Sequence, residues 1–197
     1  RITDKNGQFI KELLPVDPKS KVLHGLGQNF YVYDGKLNVF PHFSNTIFSI
    51  TPDSTTQRYH FYFGDYHFPD DEIFQKKEYN SQAIMSEIMN NSYVRLMAPY
   101  ETDEHLLVKY YVKRQVLLGI YNKKKHTAIN LDPEMVIDSL HLGTFPVPIG
   151  FNHNEFIGQL TLDIQQKNRI MIPELQKLMA DYSEDSNPIL IFYSLRS

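Results

Sequence analysis

Seven polar side chains, six of them His or Asp capable of acid, base or metal-ligating chemistry, fall in short loop segments rather than in the apolar runs of this 197-residue chain. His24 sits in KVLHGLGQ, His42 in FPHFSN, and Asp65 and His67 in FGDYHFPDDE. Arg114 occupies the turn Lys113-Arg114-Gln115, while Asp138 and His141 lie in VIDSLHLG. Imidazoles and carboxylates gathered on one face can hold a divalent cation or share a proton between an acid and a base. None of these histidines shows the spacing of a helical metal motif such as H-x-x-x-H, so a half-buried loop residue bonded to backbone is the plainer role for each. The densest acidic cluster, DYHFPDDE (Asp65 to Glu72), lacks the D-x-D-x-D-G pattern of a calcium loop and reads as a solvated linker. No G-x-S-x-G offers a nucleophilic serine, and GLG at Gly25 to Gly27 is too short to cradle a pyrophosphate. No cofactor and no metal are expected from these motifs.

Composition narrows the classes further. Apolar content of 42% and charged content of 22% are those of an ordinary globular chain, which argues against extended disorder. A net charge of −3 gives no basic field, so nucleic acid is not an expected partner. The one cationic run, Lys123-Lys124-Lys125, follows Tyr121-Asn122 and reads as a solvated turn. The absence of cysteine excludes disulfides, thiolate catalysis and cysteine-ligated zinc within this chain. No apolar run reaches the ~18 to 20 residues of a membrane helix, so no membrane insertion by this segment is expected.

The elements that must position these groups are mostly strands. Thirteen Tyr and thirteen Phe favour the pleated conformation. Asp34-Gly35 lies between NFYVY and KLNVF, and Asp-Gly is a strong hairpin signal because both central residues of the tight turn take positive φ. TIFSI and RYHFYFG follow, giving four strands between Asn29 and Gly64. A second set of four runs through SYVRLMAPY, LLVKYYVKR, QVLLGIY and HTAINL. A third, less regular set comprises DSLHLGTFPVPIG, NEFIGQLTL and NPILIFYSL, with FNHNEF as a hairpin turn. Two helical stretches interrupt them, SQAIMSEIMNN and IPELQKLMADY, whose apolar stripes read as packing faces. Strand sets of four at this spacing suit the blades of a β-propeller, and a β-sandwich can be built from the same hairpins.

The segment from Asn29 to Glu72 resembles a blade of six-bladed β-propeller proteins of Bacteroides-type gut bacteria. Phe43 to Phe48, Arg58-Tyr59, Phe63-Gly64 and Pro69 match the family's "p.f.dTIy.i" and "rY.idFG...lP" runs. GIYNKKKHTAINL, NEFIGQL and the terminal NPILIFYSLRS resemble later segments. The resemblance implies an all-β fold: a partial β-propeller of four-stranded antiparallel blades with two short helices. Residues 1–197 then form a single domain, the C-terminal half of the ring. Residues 1–14 end one blade, 28–64 and 92–132 are whole blades, and 138–197 are an incomplete last one.

The resemblance also implies location and role. Family members are mostly uncharacterised exported, lipoprotein-like proteins, which places this chain at the cell envelope, periplasmic or on the outer surface. A signal or lipid anchor would lie upstream of Arg1. The expected function is a non-catalytic binding or scaffold module for a glycan, peptide or protein. His24, His42, Asp65, Arg114, Asp138 and His141 are then its channel-face ligand contacts. The alternative is a propeller hydrolase or lyase with a channel metal or His/Asp site. An unpaired apolar edge at Ile189 to Leu195 calls for cover, from the N-terminal half of the same protein or from a second copy.

Overall fold

A computed structural model describes residues 2–12, 29–41, 44–67, 81–113, 115–133, 145–160, 173, 177 and 187–195. The fold is all-β, made of antiparallel sheets with little helix among the described residues. β1 (Ile2–Thr3) pairs with β2 (Phe9–Lys11) across the DKNGQ loop. Asp4 shapes that loop, its Oδ1 accepting the N–H groups of Asn6 at 2.9 Å and Gln8 at 2.8 Å.

The first four-stranded sheet comprises β3 (Phe30–Tyr33), β4 (Lys36–Val39), β5 (Thr46–Ile50) and β6 (Thr55–His60), hydrogen-bonded in chain order. Asp34 at φ 50° and Gly35 at φ 67° close the β3–β4 hairpin, so Tyr33 faces Lys36 with no slack. This is the tight turn whose twist matches that of the flanking strands. Gly64, at φ 56°, turns the chain out of β6 into a single 3-10 turn, Gly64–Tyr66. The helix α1 (Ser81–Asn90) follows. Of the second expected helical stretch, Pro173 and Lys177 are described, both helical.

The second four-stranded sheet contains β7 (Arg95–Glu101), β8 (His105–Val112), β9 (Gln115–Asn122) and β10 (Thr127–Leu131), again in chain order. β8 is buried along most of its length, while β10, at one edge, is largely exposed. Strands covered on both faces read as near-continuous apolar runs, as Leu106-Leu107-Val108 does here. β11 (Pro148–Phe151), β12 (Phe156–Leu160) and β13 (Ile189–Tyr193) form a sheet of three strands among the described residues.

The chain divides into two compact units, Arg1–Ala98 with Tyr110–Gln115, and Pro99–Lys109 with Val116–Ser197. The first buries Tyr31, Phe40, Ile47, Val94, Tyr110 and Val112. Its Arg58 lies over the rings of Tyr33 (5.2 Å) and Tyr59 (5.4 Å) and donates to Oδ1 of the buried Asn38 at 3.4 Å. In the second unit, Leu107 and Leu118 of the four-stranded sheet pack against Phe156 of the three-stranded one. Tyr100, Ile120, Phe145, Val147 and Tyr193 surround that contact. Two apolar sheet faces closed on each other in this way supply the main stabilising term of a β domain.

Gly158 marks the tightest point of that core. A Cβ there would meet the Pro146 Cβ at 2.9 Å and the Tyr193 ring at 3.3 Å. The Tyr193 hydroxyl donates to the Pro146 carbonyl at 2.6 Å, and burial pushes its phenol far above the ordinary tyrosine range, with Tyr100 adding to the shift. Neither neighbour can step aside cheaply. Gly158→Ala is therefore expected to destabilise the protein by about 2 kcal/mol, the usual scale of overpacking. Urea denaturation checks it, and an unchanged midpoint would refute the close approach.

Candidate functional site

Three turns meet at one end of the second unit. They are the β7–β8 turn at Thr102 to Glu104, the β9–β10 turn at Lys123 to His126, and the β11–β12 turn at Asn152 to Glu155. The first two fall at the same end of their sheet because alternate hairpins of an antiparallel meander reverse on the same side. Together with Ser194 and Leu195, these turns surround a cavity of about 420 Å³. That is within the size range of small-ligand sites.

Each turn is set by its own side chain. Asn122 Oδ1 accepts the N–H groups of Lys124 (3.0 Å) and Lys125 (2.8 Å). Asn152 does the same for Asn154 (2.9 Å) and Glu155 (2.8 Å). Thr102 Oγ1 accepts the His105 N–H at 3.1 Å. Asn and Thr favour such turns because a short side chain can replace a backbone acceptor. The turns are also tied to each other: Asp103 N–H donates to the His153 carbonyl at 2.8 Å, and Lys123 N–H to the Glu104 carbonyl at 2.9 Å.

The charges are arranged in layers. Glu101, with a side chain 0% exposed, pairs with Lys123 Nζ at 2.7 Å, and that ammonium also donates to the Thr102 carbonyl at 2.6 Å. Above them, Lys124 pairs with Glu104 at 2.5 Å, and His153 Nδ1 stands 3.6 Å from Asp103. These outer groups are exposed, so their pairs contribute little stability. The lysine run is thus a turn, but its first member is not solvated. Lys123 points inward onto a buried carboxylate, because a Glu taken out of water needs a cation beside it.

His105 is buried beneath this layer, and its protonation state follows from the amide next to it. Two backbone donors occupy Asn122 Oδ1, which leaves Nδ2 facing His105 Nε2 at 3.1 Å. An amide N–H can only donate, so Nε2 must carry a lone pair and the ring is neutral. Burial lowers the His105 pKa below the ordinary histidine value; Lys123 and Lys124 lower it further and Glu104 opposes them.

Of the residues expected to line a ligand site, Asp65 is described: it is exposed, in the middle of the 3-10 turn Gly64–Tyr66. His24, His42, Arg114, Asp138 and His141 lie outside the described residues. Sequence reasoning passed over Glu101, His105 and Asn122. The available signal was polar residues at the ends of otherwise apolar strands.

These features define a class of all-β protein, built from repeated four-stranded antiparallel sheets with polar turns clustered at a sheet end. The profile of the family described as "Domain of unknown function (DUF4934)" matches residues 1–194, and the chain belongs to that family. Its fold is similar to the crystal structure of a "putative exported protein" from Bacteroides fragilis, with a TM-score of 0.79 and 20% sequence identity. The match covers 98% of this chain and 57% of that one. No curated protein matches the sequence. Among the described residues, no helix is long and apolar enough to cross a membrane.

Two outcomes test the layered charges. Lys123→Met leaves Glu101 without this cation and is expected to cost about 3 kcal/mol, whereas adding Glu101→Gln restores part of the loss. A double-mutant cycle with no coupling would refute the pair. Acid acts through His105. Its folded-state pKa is depressed, so the unfolded chain binds more protons as pH falls below 6.5. Stability is full above that value and is lost as pH drops through the folded pKa. Between pH 7.5 and 5, His105→Gln should show a shallower loss than the parent in denaturant titrations; equal slopes would refute a neutral, locked ring.

Proposed function

We propose that this chain is part of a six-bladed β-propeller that acts as a non-catalytic binding module at the bacterial cell envelope. The observation that carries the binding reading is the cavity among the three turns. Its floor is held by mutually bonded groups, while Asp103, Glu104, Lys124 and His153 keep exposed polar atoms at its rim. Carboxylates, an ammonium and an imidazole on rigid turns suit a polar ligand, an oligosaccharide or a peptide, whose hydroxyl or amide groups they can meet without reorganising.

The ring and the location are supported by different observations. Two sheets are four-stranded meanders in chain order, as blades are, and the Bacteroides protein of similar fold is described as exported. In this reading the chain supplies blades at 28–64 and 92–132 and part of a last blade at 138–197. His24, His42, Asp65, Arg114, Asp138 and His141 are then the ligand contacts of the channel face. Among the described residues the three-stranded sheet ends at β13, where Leu190 (51% exposed) and Phe192 (55% exposed) form an apolar outer row. A strand from the remainder of the protein completes that sheet and covers the row.

Light scattering of this chain, alone and mixed with the remainder of the protein, tests the ring. Self-association that is replaced by a 1:1 complex is expected; a strictly monomeric chain indifferent to the remainder would overturn it. Calorimetric titration of envelope oligosaccharides and peptides into that complex tests the cavity. Asp103→Asn with Glu104→Gln should weaken binding by about tenfold or more, since each lost charge-assisted hydrogen bond is worth about 1.5 to 3 kcal/mol. Undiminished binding by this variant would move the ligand elsewhere.

A further inference from the structure

The first unit brings together two histidines that the turn-built cavity does not use. β6 ends at His60, and Phe61 N–H then donates to the Asn45 carbonyl at 2.8 Å. Gly64 at φ 56° reverses the chain through the 3-10 turn, and His67 N–H closes it on the Gly64 carbonyl at 3.0 Å. The Tyr66 carbonyl accepts Val94 N–H at 2.8 Å, which anchors the returning segment. The result places the His67 ring beside that of His60, with centroids 5.7 Å apart and planes tilted by 54°.

Both rings are oriented from β5 and the residue before it. Thr46 Oγ1 bonds His60 Nδ1 at 2.9 Å, and Asn45 Nδ2 bonds His67 Nε2 at 3.0 Å. Each imidazole is thus held through one nitrogen, which leaves His60 Nε2 and His67 Nδ1 as the second nitrogens. His67 Nδ1 is buried and has no hydrogen-bond partner among the described residues. A buried polar atom without a partner costs about 1 to 3 kcal/mol, and a bound cation would remove that cost. Orientation of one ring nitrogen by a neighbouring side chain is the arrangement found behind metal-bound histidines.

We propose that His60 Nε2 and His67 Nδ1 together bind a divalent transition-metal ion of the zinc type. A metal about 2.0 to 2.1 Å from each nitrogen allows two ring centroids to lie about 4.5 to 6.4 Å apart, from a right-angled to an opposed pair. The observed 5.7 Å lies inside that span. Coordination needs the lone pair of Nδ1. The ring proton moves to Nε2, and the Asn45 amide turns to accept it, so the imidazole stays neutral throughout. Among the described residues no group of three or more His, Cys, Asp or Glu side chains is placed to hold a metal. Two protein ligands are fewer than the three or four of ordinary zinc sites, so the ion is held weakly and exchanges.

Histidine side-chain ¹⁵N spectra of the chain, titrated with zinc chloride, test this directly. His60 Nε2 and His67 Nδ1 should shift together and saturate at one equivalent. His60→Ala alters an exposed position and should abolish the His67 shift without unfolding the chain. Thr46→Val, which removes only the orienting bond, should weaken binding about tenfold. Zinc that shifts other histidines and leaves these two unmoved would overturn the proposal. So would a His67 shift that survives in His60→Ala.

Discussion

Asn122 has one side-chain amide, and both of its ends are committed: the oxygen holds the β9–β10 turn through two backbone N–H groups while the nitrogen donates to His105. The rest of the polar end of the second unit depends on that division. Because the turn takes both donors on the oxygen, the amide cannot rotate without orphaning them. Because it cannot rotate, His105 must stay neutral. A neutral His105 in turn lets Lys123 sit nearby, folded onto Glu101, without adding a second buried positive charge. Each bond is worth about 1 kcal/mol net, but breaking one strands a buried partner and costs more.

Local pattern made much of the fold legible. Alternation in NFYVY and KLNVF, with Asp-Gly between them, specifies a hairpin because side-chain period and turn φ are both properties of a few adjacent residues. The same holds for FNHNEF, where Asn152 builds the turn from within it. The Glu101–Lys123 pair was not legible, since it joins residues two strands apart. Nothing in a lysine run says which lysine turns inward; that depends on where a buried carboxylate ends the neighbouring hairpin. His60 was hidden for a related reason. It lies in RYHFYF as one polar residue of an alternating strand, and only the return of the chain at Gly64 gives it a second imidazole.

The candidate chemistry read from sequence favoured loops rich in His and Asp, whereas the described polar network is built on tight turns with Asn and Thr. Composition finds groups that can ionise, and it overlooks groups whose task is to hold others still. Asn122, Asn152 and Thr102 have no titratable chemistry, yet they fix the positions of Asp103, Glu104, His105 and Lys124. A site depends on such supporting residues at least as much as on the groups they present.

The two histidine environments differ in a way that bears on function. His105 is buried with its Nε2 occupied, and the surrounding lysines disfavour its protonation. A ring held in one state is a poor acid or base, because proton transfer in either direction breaks a bond that the fold has already made. It serves instead to keep the cavity floor in one shape, which lowers the ordering cost a ligand must meet. His67 is held through one nitrogen and carries the other, buried, without a hydrogen-bond partner among the described residues. Rigidity therefore collects under the cavity, and unsatisfied bonding capacity collects beside the 3-10 turn. The proposed recognition and the proposed coordination draw on separate residues, so neither need compromise the other.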